Sequence, residues 1–314
     1  MLIAQAKDGT YIDAGIRTTK NDLFCPCCQS PVILKAGPQK IAHFAHSHGT
    51  ACHAFSEGES KEHLAGKRLL QQFVPTAQLE VYLPELEQRP DLLANQLALE
   101  FQCSPLSFSR FFDRTTGYLN NGYQPVWLFG KNLQPRKNWT VFQKACCQFT
   151  ASLGFYSYAL DVNQAKLYRY QSIKWAYQTG YTWQIYAKKP THQWQFEKNV
   201  QAARGNKMSY ATWIQGQLMQ CNPLFQKLQQ AVYPSGMTLF SLPEWCYQPS
   251  LYGFLFTHQV LVFRAYYCES SSFSKWIEAC LATLKSWHWP YFDAQKIFFE
   301  LYQECRWLSS QATK

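Results

Sequence analysis

The stretch RPDLLANQLALEFQCS, residues 89–104, decides the fold of the core. Apolar and other residues alternate on both sides of Asn95-Gln96, a pattern typical of two strands joined by a two-residue turn. Pairing outward from this turn sets Asp91 opposite Glu100. The sequence therefore predicts a hairpin with one apolar face and one face that carries two carboxylates.

The polar face of this hairpin predicts a metal site. Like charges that face each other across strands are destabilising, and a divalent cation between Asp91 and Glu100 resolves the conflict. Two carboxylates and a backbone carbonyl, that of Phe101, form a hard oxygen site suited to Mg²⁺ or Mn²⁺. Such an ion activates water and stabilises charge on a scissile phosphate. Gln102 shares this face because it follows Glu100 by two residues.

A helix is predicted immediately before the hairpin, over residues 56–74, with Ser56 and Glu59 at capping-box spacing. Glu59, His63 and Lys67 recur every four residues on one stripe, opposite an apolar stripe. We expect Glu59 to be an outer or second-metal ligand, His63 a phosphate contact or proton-transfer group, and Lys67 a phosphate clamp. The alternative is a helix cap followed by a solvated face.

The neighbouring patterns extend this core. Residues 79–83 and 125–129 are strand-like, and residues 107–118 between the hairpin and the last strand are typical of a helix. The order helix, three strands, helix, strand indicates an α/β core that begins with antiparallel pairing and continues through a crossover. A second hairpin around Asn163-Gln164 and a further strand follow.

The two ends of the chain differ from this core. Residues 1–24 predict short strands around an Asp8-Gly9 turn, and helical patterns dominate from about residue 197. The predicted fold is α+β: a small zinc-binding N-terminal module, an α/β core and a mainly helical C-terminal domain. The predicted domain bounds are 1–55, 56–190 and 191–314.

Cysteine and histidine residues in the N-terminal module predict a zinc site. Cys25-x2-Cys28 is followed by His43-x2-His46, and a pair of thiolates with two imidazoles completes a tetrahedral shell. Four protein ligands leave no position for water, which favours a structural role. Rival ligands are Cys27, His48, Cys52 and His53. The alternative is a run of free thiols with surface histidines.

Composition excludes several classes of protein. Of the 314 residues, 47% are hydrophobic and 16% charged, which indicates a globular chain. We find no pattern typical of a secretory signal or a membrane span, so we expect a cytoplasmic protein without membrane contact, whose 12 cysteines are mostly thiols or metal ligands.

The net charge of +10 is concentrated in the second part of the chain. Between Lys131 and Lys207, twelve basic residues are accompanied by only Asp161 and Glu197. A field of this kind attracts a polyanion, and nucleic acid is the expected partner. The candidate DNA-binding residues are Arg110, Arg114, Lys137, Lys144, Arg169, Lys174, Lys188 and Lys189.

Aromatic residues are interleaved with the basic ones in this region, among them Trp183, Tyr186 and Trp194. Bases of a single strand stack on aromatic faces while lysine and arginine follow the backbone, so this mixture suits a single-strand channel. We expect most of the aromatic residues to lie in the core. For Arg110 and Arg114, an exposed i, i+4 pattern on a helix is an equal alternative.

The combination of CPCC, HFAH, GESKEHLAGKRLL, RPDLL, LEFQCSPLSFSRFFDRTTGY and PVWLFG, over roughly residues 20–130, resembles the CoiA-like competence protein family. The family is similar to restriction-endonuclease-like nucleases with a PD-(D/E)xK motif. By that match Pro90-Asp91 is the PD, and Glu100, Phe101 and Gln102 stand at ExK. Gln102 departs from the pattern, because a neutral amide cannot supply the charge of a lysine.

The resemblance implies a cytoplasmic protein that acts on imported single-stranded or branched DNA and promotes its recombination during natural transformation. The expected activity is that of a Mg²⁺-dependent nuclease, and the expected partners include the strand-exchange recombinase and other competence proteins. One alternative is a non-catalytic DNA-binding mediator with a degenerate nuclease core. Another is a zinc-stapled interaction protein without DNA contact.

Overall fold

The structure, a computed structural model, describes residues 1–16, 22–38, 40–47, 52, 59–201, 208–270, 272–284 and 286–312. The chain divides into two compact units. The first contains Met1–Gln134, Ser157–Tyr170 and Tyr186–Glu197, and the second contains Pro135–Tyr156, Gln171–Ile185 and Lys198–Lys314. Within the described residues, no helix is long and apolar enough to cross a membrane.

The secondary structure is mixed. The strands are β1 (Ile3–Ala6), β2 (Tyr11–Asp13), β3 (Leu23–Phe24), β4 (Val32–Gly37), β5 (Lys40–His46), β6 (Gln78–Leu79), β7 (Leu92–Ala94), β8 (Leu97–Gln102), β9 (Gln124–Phe129), β10 (Gln148–Thr150), β11 (Gly154–Asp161), β12 (Lys166–Ala176), β13 (Gly180–Lys188) and β14 (Gln195–Gln201). The helices are α1 (Lys61–Phe73), α2 (Phe108–Asn120), α3 (Val141–Ala145), α4 (Tyr210–Met219), α5 (Pro223–Val232), α6 (Gly253–Phe256), α7 (Gln259–Glu269), α8 (Phe273–Ala282) and α9 (Ala294–Ala312). This confirms the predicted α+β class.

The N-terminal strands form two small sheets. β1 pairs with both β2 and β3, and β4 pairs with β5. The predicted turn between β1 and β2 is present, with Gly9 at φ +83° and the Asp8 carboxylate accepting the N–H of Thr10 at 3.0 Å. A positive φ favours glycine, which explains the sharp reversal at this position.

The large sheet has the strand order β14-β13-β12-β11-β9-β8-β7-β6. β6, β7 and β8 are antiparallel neighbours, whereas β8, β9 and β11 run parallel. A parallel neighbour requires a crossover connection, and α2 provides the one between β8 and β9. This agrees with the predicted order of elements in the core.

Helix α1 packs on this sheet through an apolar stripe. Leu64, Leu69 and Leu70 are buried together with Leu92 and Leu99. Burial of each leucine contributes about 1.5–3 kcal/mol, so this contact fixes the position of α1 on the hairpin. The approach is closest at Gly66, where a Cβ atom would overlap the ring of Phe101 on β8.

Two predicted elements of the sequence were wrong. The strand predicted over residues 79–83 ends at Leu79, because Glu80 adopts a φ of +53° and turns the chain. Residues 195–201 form strand β14, although a helix was predicted from residue 197 onward. β14 pairs with β13 at the edge of the large sheet, and this pairing outweighs the local helix propensity. Residues 202–207 lie outside the described part of the chain.

The second unit contains helices α3 to α9, and the C-terminal region is mainly helical, as predicted. Its core contains the buried side chains Ile214, Phe225, Val262 and Cys305. Arg264 on α7 is almost completely buried and donates to the carbonyl of Cys246 at 2.9 Å and to the Glu304 carboxylate at 2.6 Å. In the same unit β10 pairs with the first residues of β11.

Candidate functional site

Helix α1 brings two of the predicted site residues to one face. Its N-cap, Ser60, accepts the backbone N–H of His63 at 3.1 Å. His63 and Lys67 are one turn apart and therefore lie one above the other. Glu59 precedes the cap, and its carboxylate lies 3.4 Å from His63 Nδ1 and pairs with Lys67. The predicted stripe exists, but the helix begins at Lys61, and Ser56 lies outside the described residues.

The hairpin has the predicted register. Leu92 pairs with Leu99 and Ala94 with Leu97, as counted from the turn. Asp91 precedes the first residue of β7 and does not form a ladder pair. Its Oδ2 instead accepts the backbone N–H of Phe101 at 2.8 Å and lies 3.0 Å from His63 Nε2.

Glu100 is held from the other side by helix α2. Arg114 pairs with the Glu100 carboxylate, and the hydroxyl of Tyr118 donates to the same oxygen at 2.7 Å. The charge of Asp91 is balanced by His63, as described above. Each carboxylate therefore has a partner in the chain, so the sequence argument that a cation is needed to relieve their repulsion was too strong.

Burial and these partners shift the pKa values of the three central groups. Burial raises the pKa of Glu100 to about 7, despite the nearby Arg114 guanidinium. Burial also opposes ionisation of Asp91, but the charge and hydrogen bond of His63 hold its pKa at about 2. For His63, desolvation is outweighed by the charge and hydrogen bond of Asp91, which raise its pKa to about 9. At neutral pH the site thus holds an imidazolium, an ionised Asp91 and a Glu100 near its midpoint.

Lys67 is not on the surface, contrary to the predicted phosphate clamp and to the alternative of a solvated face. Its side chain is 0% exposed, and its ammonium pairs with Glu59 and Glu80 and lies 3.9 Å from Asp91 Oδ1. A charge so deeply buried is stable only with such partners. Lys67 therefore links the helix and the hairpin from beneath the site.

Glu80 completes this buried cluster and was not predicted from sequence. It is 1% exposed, and its Oε2 accepts the backbone N–H groups of Leu2 at 2.8 Å and Ile3 at 3.1 Å. Arg89 lies 3.3 Å from the same oxygen. Arg89 is the first residue of the quoted stretch RPDLLANQLALEFQCS. Glu80 belongs to no periodic pattern of the sequence, so its place in the cluster could not be predicted.

These side chains surround a pocket of about 520 Å³. Its lining includes Glu59, His63, Arg89, Asp91, Glu100, Gln102, Arg110, Arg114 and Asn132. The Gln102 side-chain amide donates to the carbonyl of Ser104 at 2.7 Å. The structure thus brings together the six predicted catalytic residues, with Lys67 beneath the pocket, and adds Arg110 and Arg114 to its wall.

The other predicted DNA-binding residues fall into three groups. Lys137, Lys174 and Lys189 are exposed. Lys144 was predicted to bind DNA, but its side chain is buried. It is 7% exposed, and its ammonium donates to the carbonyl of Leu255 at 3.2 Å. Burial lowers the pKa of Lys144 to about 8. The remaining two, Arg169 and Lys188, are partly buried against aromatic rings.

The N-terminal cysteine and histidine residues form a separate cluster. Cys25, Cys28, His46 and Cys52 each place a ligand atom within 4.8 Å of the others, and Cys28 Sγ lies 3.3 Å from His46 Nε2. A hydrogen bond from the Cys27 thiol lowers the pKa of Cys25 to about 4, which favours the thiolate that metals bind. A Cys3His set of this geometry can bind zinc.

His43 lies outside this cluster, and Cys52 occupies the place predicted for it. The ring nitrogen Nδ1 of His43 lies 2.8 Å from the carbonyl oxygen of Ile41. His43 and His46 are three residues apart on strand β5, so their side chains leave opposite faces. Of the other rivals, Cys27 is outside the set, and His48 and His53 lie outside the described residues.

The α/β core thus carries a pocket lined by the carboxylates of Asp91 and Glu100, and the comparison with known families identifies the class of domain. Residues 59–204 match the family described as competence protein CoiA, nuclease-like domain. Residues 10–55 match the N-terminal domain of the same proteins. The chain therefore belongs to the CoiA competence protein family.

A curated relative supports this assignment. The competence protein CoiA of Bacillus subtilis (strain 168) is 36% identical over 128 residues, which cover 38% of this chain and 34% of the relative. The chain thus aligns with about a third of the relative's length. No solved structure matches the chain.

Proposed function

We propose that the chain is a divalent-metal-dependent nuclease that acts in the cytoplasm on imported single-stranded or branched DNA and promotes its recombination. The observation that carries the proposal is the pocket in which Asp91 and Glu100 lie beside the cations Arg110 and Arg114. Paired carboxylates bind Mg²⁺ or Mn²⁺, and guanidinium groups bind phosphate.

The donor set of the pocket fits such an ion. Asp91 is ionised, and Glu100 has a pKa of about 7, so loss of one proton gives two carboxylates in one pocket. Asp91 and Glu100 would hold the ion, which lowers the pKa of water and stabilises charge on the scissile phosphate when bound. Metal binding would release a proton near neutral pH, because the ligands must be deprotonated.

The remaining residues of the pocket have separate roles in this proposal. Arg114 would exchange Glu100 for a phosphate oxygen if the carboxylate held a metal, and Arg110, one turn earlier on α2, would contact an adjacent phosphate. His63 holds a proton between Glu59 and Asp91 and can deliver it to the leaving oxygen. Gln102 orients water by hydrogen bonds, and Lys67 positions Asp91 from below.

The test is cleavage of labelled single-stranded and forked DNA by the full chain with Mg²⁺ or Mn²⁺. Asp91→Asn removes the proposed ligand with little change in shape, and Asp113→Asn, at an exposed position of α2, is the matched control. We expect cleavage by the wild type and by the control, and at least a hundredfold loss in Asp91→Asn. Equal cleavage by all three proteins, or none with either metal, would remove the catalytic proposal.

A non-catalytic recombination mediator is the second candidate. It is favoured by the amide of Gln102, which donates to the Ser104 carbonyl where the nuclease motif has lysine. In this case the core binds DNA, and the helical C-terminal region docks the recombinase or another competence protein. Asp91→Asn then leaves transformation intact, whereas charge reversal at Lys188 and Lys189 weakens DNA binding. The opposite pattern would count against a mediator.

We also propose that Cys25, Cys28, His46 and Cys52 bind a structural Zn²⁺. Four ligands close the coordination shell, and the short strands β1 to β5 bury a small core that a metal would stabilise. With this site, residues 1–55 form the zinc module, 56–190 the nuclease domain and 191–314 the helical domain.

A further inference from the structure

A group of cations and rings, which we name the Trp194 cluster, lies in the first unit beyond the pocket. It consists of Arg169, Lys188, Trp194, Tyr186 and Phe73. The Arg169 guanidinium lies 4.7 Å from the centre of the Trp194 ring and 5.3 Å from that of Tyr186. The Lys188 ammonium lies 5.4 Å from Trp194 and 5.5 Å from Phe73. Two cations are thus held against one indole.

The charges of this cluster are not neutralised within the described part of the chain. Neither Arg169 nor Lys188 forms an ion pair there, and the buried Nε of Arg169 has no hydrogen-bond partner in it. Lys166, three residues before Arg169 on β12, shows the contrast, because its ammonium pairs with Glu197 at 2.6 Å. Two unpaired cations held near one indole ring repel each other, so their retention there favours an anionic ligand.

The rings explain how the cations are kept ready for such a ligand. A cation over an aromatic face is stabilised by about 0.5–1 kcal/mol at a partly exposed site, which limits the freedom of a long side chain. Side chains ordered before binding lose less entropy when the ligand arrives. Because both cations lie over the rings, the cluster is suited to contact phosphates, and the Trp194 ring serves as their support.

The cluster is also within reach of the pocket along one element. Phe73 is the last residue of α1, and His63 is in its first turn. Ten residues of helix span about 15 Å, so a strand held at the cluster can extend to the carboxylates within a few nucleotides.

We propose that Arg169 and Lys188, oriented by Trp194, form a subsite for the phosphate backbone of single-stranded DNA that leads to the nuclease pocket. The inference rests on the proposed function, because it names the substrate contacts of the same domain. It requires only DNA binding and does not require cleavage.

The test is binding of a fluorescent single-stranded oligonucleotide to the full chain, measured by anisotropy without added Mg²⁺ or Mn²⁺ so that no cleavage occurs. Arg169→Gln and Lys188→Gln each remove one phosphate contact, for which we expect roughly fivefold weaker binding. The salt dependence should also fall by about 0.7 in slope per lost contact. Lys166→Gln, which loses the same charge from a neutralised pair, is the matched control and should change the affinity less than about twofold.

Substitution of the ring separates support of the cations from stacking of a base. Trp194→Phe should bind within about twofold of the wild type, and Trp194→Ala roughly threefold more weakly, because the cations lose their support. An oligonucleotide with abasic positions should bind as well as the intact one. Strong loss with the abasic oligonucleotide would overturn the phosphate assignment in favour of stacking.

The outcomes distinguish this inference from the proposed function. If the wild type binds DNA and the Arg169→Gln and Lys188→Gln proteins bind equally well, the subsite is refuted and the nuclease proposal stands. If the wild type binds no DNA, both fail. Thermal unfolding of each variant identifies a loss of binding caused by unfolding, and the two glutamine variants decide the result if Trp194→Ala does not fold.

Discussion

Removal of the Lys67 ammonium should destabilise the protein strongly. Lys67 is 0% exposed and pairs with Glu80, which is 1% exposed, and with Glu59, which is 11% exposed. In Lys67→Met the side chain keeps its approximate length and apolar stem, but these buried carboxylates lose their counter-charge. Breaking a buried ion pair from one side costs about 3–5 kcal/mol, and the second carboxylate places the expected loss at the upper end.

Urea unfolding at pH 7, followed by circular dichroism, measures this loss. With a slope of about 2 kcal/mol per molar urea, the midpoint should fall by about 2.5 M. The matched control is Lys61→Met on the exposed first turn of α1, which should stay within about 0.5 kcal/mol of the wild type. Lys67→Met/Glu80→Gln should recover part of the loss. A decrease of less than about 1 kcal/mol for Lys67→Met would refute the buried cluster as a stabilising unit.

Three further predictions follow from the site and its supports. His46→Ala should lower the bound zinc, measured by atomic emission on the purified protein, whereas His43→Ala should retain it; equal zinc in both would contradict the assignment. In metal-free protein the raised pKa of His63 contributes stability that is fully present below about pH 6.5 and is lost as the pH rises through about 9. The loss should be roughly 3 kcal/mol, and His63→Gln should remove this part of the pH dependence of the urea midpoint. Gly66→Ala should cost at least about 2 kcal/mol because its Cβ would overlap a ring of β8, while Gly216→Ala in α4 meets no atom within 4 Å and should be neutral or slightly stabilising in thermal unfolding.

The local patterns of the sequence predicted the elements that place the site. The two-residue turn determined the register of β7 and β8, because each pair follows from the one before it. The four-residue spacing of His63 and Lys67 placed both on one face of α1. Side chains on one face recur every two residues along a strand and every 3.6 residues around a helix. Both periods can be found in a single sequence.

Contacts between side chains that are far apart in the sequence could not be predicted from these periods. Arg114 pairs with Glu100 because α2 packs beside the hairpin, and no spacing in the sequence specifies that contact. The burial of Lys67 depends on Glu80, which is brought to it by a backbone turn at positive φ. Tertiary contacts of this kind decide whether a charged stripe faces solvent or the core.

The predicted zinc ligands show how a motif can be misassigned when the type of secondary structure is assumed wrongly. A histidine pair three residues apart suits a helix, where both side chains lie on neighbouring positions of one face. Here the pair lies on strand β5, which turns His43 away and leaves the fourth position to Cys52. The prediction of a metal cluster was therefore sound, while one ligand depended on the type of element.

The central claim is that Asp91 and Glu100 bind a divalent cation in a working site, and crystallography with Mn²⁺ tests it directly. Anomalous scattering at the manganese absorption edge locates the ion without assumptions about its ligands. The account predicts a peak between the carboxylates of Asp91 and Glu100, with Arg114 displaced from Glu100. A pocket without a peak at saturating Mn²⁺, with Arg114 still paired to Glu100, would contradict it.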